Sequence, residues 1–90
     1  MDTDELSEKT YQAILVEAEK FNHDLTLRFG VLSYQCSDEK EYIQKSIRLI
    51  NAIKKMNLAE IDDMFFGNPP NKNELLKALK RIVDNIKSLD

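Results

Sequence analysis

The sequence is expected to fold as an all-α, antiparallel up-down bundle of three long helices and one short one. Three observations lead there. Apolar residues recur at steps of three and four along most of the chain, the spacing that gathers them on one helix face. Only two glycines and two prolines occur, too few to punctuate a turn-rich β fold. Cap-forming residues, with an acid three places on, stand where apolar runs begin. Ninety residues make one domain, 1–90. Its core is modest, because a chain this short buries only ~60–65% of its unfolded surface.

The first helix should begin near Thr3 or Asp4 and run to about Tyr34. Tyr11, Ile14, Leu15, Ala18, Phe21, Leu25, Phe29 and Leu32 form one continuous stripe along it. Asn22, His23 and Asp24 are poor helix formers and mark a weak spot. The stripe keeps its phase across them, which favours a single helix. The second helix starts at "SDEKE": Ser37 or Asp38 can cap it, and Asp38 with Glu41 has capping-box spacing. Tyr42, Ile43, Ile47, Leu49, Ile50, Ile53 and Met56 give it a face wide enough to touch two neighbours.

Asn57 should cap a short helix from Leu58 to Phe66, closed by Gly67 in a left-handed conformation. Phe65 and Phe66 are then expected to cover the end of the core together. Neighbours on a helix point ~100° apart, so the alternative leaves one phenylalanine facing out as an anchor. Asn68, Pro69 and Pro70 stop the helix, since a residue before proline avoids helical backbone. The last helix begins at Asn71, with Glu74 completing a second capping box. Its apolar face is Leu75, Leu76, Leu79, Ile82, Val83, Ile86 and Leu89. Its wet face is Asn73, Lys77, Lys80, Arg81, Asp84 and Lys87.

Unbroken, the first helix would be roughly 45 Å long and the second and last roughly 28 Å each. The tight link near Cys36 makes the first two antiparallel neighbours. The acidic start of the first would then overhang, the short helix would close that end, and the last would run back beside the first.

Composition excludes several classes of function. The net charge of −3 disfavours nucleic-acid binding. No run approaches the ~20 apolar residues of a membrane span. The acidic start lacks the basic, then apolar, pattern of a secretory signal. A single cysteine forms no internal disulfide and suits a reducing compartment, so a cytoplasmic location is expected. The bias toward Lys, Asn and Ile suggests an AT-rich bacterial genome.

No residue pattern indicates catalysis or a cofactor. His23 one turn after Glu19 offers two metal ligands, too few for a site. Cys36 precedes a helix start, where the dipole lowers a thiol pKa, but no histidine or second cysteine accompanies it. Glu60, Asp62 and Asp63 lack the alternation and the closing glutamate of a calcium loop. Zinc spacing, phosphate loop and nucleophile elbow are all missing. The protein is expected to be no enzyme. One feature exceeds what a bundle requires. Leu27, Val31 and Tyr34 form a second apolar side on the first helix, with Gly30 between them. They are either packed by the end of the last helix or exposed as an interface.

The order of parts carries a resemblance. A long first helix "LSEKTYQAILVEAEKF", a central "YIQKSIRLINAIKKMNL" and a charged last helix "NELLKALKRIVDNIKSL" after a polar connector resemble the four-helix bacteriocin immunity proteins of Gram-positive bacteria. The likeness is one of architecture and covers most of the chain. It implies a non-enzymatic cytoplasmic protector that guards its cell from a peptide toxin by engaging the toxin-bound membrane receptor from inside. It also implies that specificity lies toward the C-terminal half. Here that means the connector with Phe66, and Lys77, Lys80, Arg81 and Lys87. A second class stays open: a self-associating regulatory module, homodimeric through Leu27, Val31 and Tyr34.

Overall fold

The computed structural model describes residues 1–89, and all regular structure among them is helical. A 3₁₀ turn, Thr3–Glu5, precedes the first helix. Helix α1 spans 8–21. It comprises Glu8–Tyr11, a π-helical turn Gln12–Val16, and Glu17–Phe21. Helix α2 is His23–Ser33, α3 is Glu39–Lys55, α4 is Leu58–Met64 and α5 is Lys72–Lys87.

The expected single first helix is two helices. Asn22 leaves helical space at φ −162°, ψ 130°, and its side chain accepts from the backbone N–H of Asp24 and Leu25 at 2.8 and 3.3 Å. A short amide side chain competes with the backbone for its own donors, and here it starts a new helix instead of continuing the old one. Size agrees. The longest dimension of the molecule is 33 Å, shorter than the unbroken helix would have been. The bend lets α2 fold against the π-helical turn of α1, so no acidic end overhangs.

The π-helical turn also changes which residues face inward. Ala13, Ile14 and Leu15 are consecutive and all buried, because the wider turn carries an extra residue to the core side. Tyr11, expected in the core stripe, is exposed. Asn85 of α5 donates to the Ala13 carbonyl at 3.2 Å, inside that same turn.

The caps follow the sequence. Asp38 accepts from the Glu41 N–H at 2.8 Å, while Glu41 reaches back to the Ser37 N–H at 2.6 Å. Asn57 caps α4 at the Glu60 N–H and Asn71 caps α5 at the Asn73 and Glu74 N–H groups. Ser7 caps α1, and its own N–H is held by the Glu39 carboxylate at 2.6 Å, which ties the start of the chain to the start of α3.

Helices α2 and α3 pack side by side around the Tyr42 hydroxyl, which donates to the Phe29 carbonyl at 3.1 Å. Burial pushes the Tyr42 phenol far above its ordinary pKa, so it stays a donor. Helix α5 runs antiparallel to α1: Arg81 meets Glu17 at 3.1 Å and Asn85 meets Ala13 one turn further along. The core that results includes Ile14, Leu25, Phe29, Ile50, Ile53, Phe65, Leu75, Leu79 and Ile82, each fully buried.

Candidate functional site

The link after α4 sets the geometry of the surface. The Gly67 N–H donates to the Asp62 carbonyl at 2.8 Å and the Phe66 N–H to the Asp63 carbonyl at 3.2 Å. This is the paired closure that ends many helices, and its first residue beyond the cap must be left-handed. Glycine usually takes that place. Here Phe66 takes it, at φ 56°, and Gly67 follows at φ 77°. The left-handed turn is therefore one residue earlier than expected, and it falls on a bulky side chain that ordinarily avoids it.

The two phenylalanines part company as a result. Phe65 is fully buried and Phe66 is 75% exposed. The expectation that both close the core is corrected: the left-handed backbone swings the second ring out of the core. Arg28 steadies it from α2. Its guanidinium lies 5.8 Å from the Phe66 ring centre, and Nη2 donates to the Met64 carbonyl at 3.2 Å. That carbonyl belongs to the last turn of α4, where no helical N–H follows to satisfy it. One side chain thus closes a helix end and supports an exposed aromatic ring through its cation.

Beside this ring a groove of about 430 Å³ opens. Leu32 and Leu49, both half-buried, form its floor, and Leu27, Val31 and Phe66 stand along it. Asp24, Arg28 and Gln35 supply its polar edge. The second apolar side of α2 is not packed by α5. Leu27, Val31 and Tyr34 are 48%, 58% and 65% exposed. The structure therefore joins two sets of residues that the sequence kept apart: Phe66 from the connector, and Leu27 and Val31 from α2.

It separates Phe66 from the basic residues. Lys77, Lys80, Arg81 and Lys87 are exposed on α5, and none lines this groove. Arg81 is engaged by Glu17 on α1, and Lys77 lies 3.6 Å from Glu74. Arg81 is thus a tie between helices rather than a free cation. Arg28 went unnoticed in the sequence, and Leu49 was read there only as part of the core face of its helix. The available signal was Arg28 standing as the one charged residue from Leu25 to Gln35.

The remaining candidates stay isolated. His23 Nδ1 lies 3.1 Å from a Glu19 oxygen, a contact that holds the Glu19 carboxyl below its ordinary pKa. Among the described residues no three His, Cys, Asp or Glu side chains come together as a metal site. Cys36 does not have the lowered pKa expected at a helix start. It is buried, its thiol contacts the Leu32 carbonyl at 3.4 Å, and desolvation pushes its pKa up. No described helix is long and apolar enough to cross a membrane. Comparison with protein-family models, characterised proteins and solved structures found no match to this chain.

Proposed function

We propose that this chain is a non-enzymatic, protein-binding helical bundle of the up-down antiparallel kind, acting by contact through the surface around Phe66. Its most concrete form is a bacteriocin-immunity-type protein. It works in the cytoplasm of a Gram-positive cell and protects it by engaging a membrane receptor occupied by a peptide toxin. The observation that carries the contact reading is the state of Phe66. A bulky residue occupies a left-handed position suited to glycine, faces outward and borders an apolar groove. Backbone strain of this kind, about 1–2 kcal/mol, persists where the exposed side chain serves some use other than folding. Aromatic rings beside an arginine are also the side chains that most often dominate protein contacts. The resemblance in architecture supplies the immunity role and the location. Lys80 and Lys87 are exposed on α5 outside the groove and would add charge contacts only to a partner that also reaches that helix.

The test is survival of a toxin-sensitive strain expressing either the wild type or Phe66→Ala, challenged with peptide bacteriocins. Wild type should protect against its cognate toxin. Phe66→Ala, at equal abundance and with its melting temperature nearly unchanged, should lose most of that protection. A wild type that protects against none removes the immunity role, and a fully protective Phe66→Ala removes Phe66 from the contact.

A further inference from the structure

We propose that the face of α2 carrying Leu27, Val31 and Tyr34, with Phe66 beside it, is a homodimer interface that a second copy of this chain covers. The proposal rests on reading this surface as protein-binding, and it names the partner the chain finds when alone.

Charge is the first argument. Charged residues make up 32% of the chain, yet "LTLRFGVLSYQ", Leu25 to Gln35, holds only Arg28. Most of that segment belongs to α2, an 11-residue helix with one side open to solvent. An exposed helix face is ordinarily its charged face. Loss of lysine and acids, with arginine and aromatics kept, marks the centre of an interface between proteins. Of the residues lining the groove only Asp24 and Arg28 are charged, and they are of opposite sign, so two such faces can meet acid to base.

Area is the second. At 48%, 58%, 65% and 75% exposure, Leu27, Val31, Tyr34 and Phe66 together present on the order of 500 Å² of apolar side chain. A standard interface buries about 800 Å² per partner, and about two-thirds of a homodimer interface is apolar. The patch is therefore of the same order as the apolar part of one dimer interface. Its shape suits a copy of itself. The α2 ridge and the Phe66 ring project, and the groove floored by Leu32 and Leu49 recedes beside them. A twofold contact needs projection and recess on the same surface, since each copy offers what the other receives.

Gly30 is the third. It lies mid-helix beside the ridge, and a Cβ built there meets nothing within 4 Å. Packing inside the chain gives no reason for glycine, which weakens a helix relative to alanine. Against a second helix, the missing side chain lets the two backbones approach closely.

Sedimentation equilibrium of the whole chain at tens of micromolar, with no toxin or receptor present, tests this directly. The expected result for wild type is twice the 10.5 kDa chain mass. Leu27→Glu combined with Val31→Glu should give the single-chain mass with the helical far-UV spectrum intact. If that double variant does not fold, Val31→Glu alone, at an exposed site, should weaken dimerisation at least tenfold. A wild type at single-chain mass throughout overturns the proposal, as does a dimer indifferent to Val31→Glu. The outcome is separate from the protection assay. A protecting monomer rejects the homodimer and keeps the contact reading; a dimer that protects against nothing rejects the immunity role and keeps the interface.

Discussion

Ser46 lies fully buried in α3, and its hydroxyl makes no well-formed hydrogen bond among the described residues, its only candidate being a weak contact with the Tyr42 phenol. A buried, unsatisfied hydroxyl opposes folding, and serine is a poorer helix former than alanine. Ser46→Ala should therefore raise unfolding stability by about 0.5–1 kcal/mol, read by urea denaturation. A loss of stability would mean that the hydroxyl does find a partner. At this scale the sequence is a good guide to type and a poor one to environment. The sequence favours both phenylalanines in the core; the outward turn of Phe66 depends on where the left-handed residue of the α4 closure falls, and the glycine one place later points to the wrong position for that residue. Cys36 is similar. Its place before a helix suggests a lowered pKa, but the thiol pKa is raised, chiefly by desolvation, which is invisible in the sequence.

Helix ends were more legible than helix continuity. Asp38, Asn57 and Asn71 cap where the sequence put them, because a cap needs only one side chain and the N–H groups two or three residues on. The break at Asn22 was harder to see. Apolar residues keep their phase across it because α1 and α2 both face the same core, so periodicity alone cannot distinguish one helix from two. The π-helical turn left no signal in spacing either; within it the Ala13 carbonyl accepts from Asn85, 72 residues away. The contact between α3 and the N-terminal segment yields a test by pH. The Ser7 N–H donates to Glu39 and holds that carboxyl below its ordinary value of 4.5. A lowered folded pKa stabilises the fold above the unfolded value and loses that contribution as pH falls through the folded one. Wild type should thus exceed Glu39→Gln in stability near neutral pH, with the difference shrinking as pH drops below 4.5. A difference that holds constant into acid would show that the Glu39 charge plays no part.

The whole molecule is short and closed where the sequence suggested length. A 33 Å long axis follows from the bend at Asn22, and it leaves α5 lying antiparallel to α1 through Arg81 with Glu17 and Asn85 with Ala13. The order of helices and most of the core were legible, since periodicity and caps are local. The surface was not, because it is assembled from α2, α3 and the link after α4, which only the tertiary fold brings together. If Phe66 is held outward for contact and not for folding, the unfolding free energy of Phe66→Gly shows it. Glycine relieves the left-handed strain and removes a ring that is 75% exposed. The variant should be more stable than wild type by about 1 kcal/mol, after allowing for the greater freedom of unfolded glycine. A loss of about 3–5 kcal/mol, the range for truncating a buried phenylalanine, would contradict it.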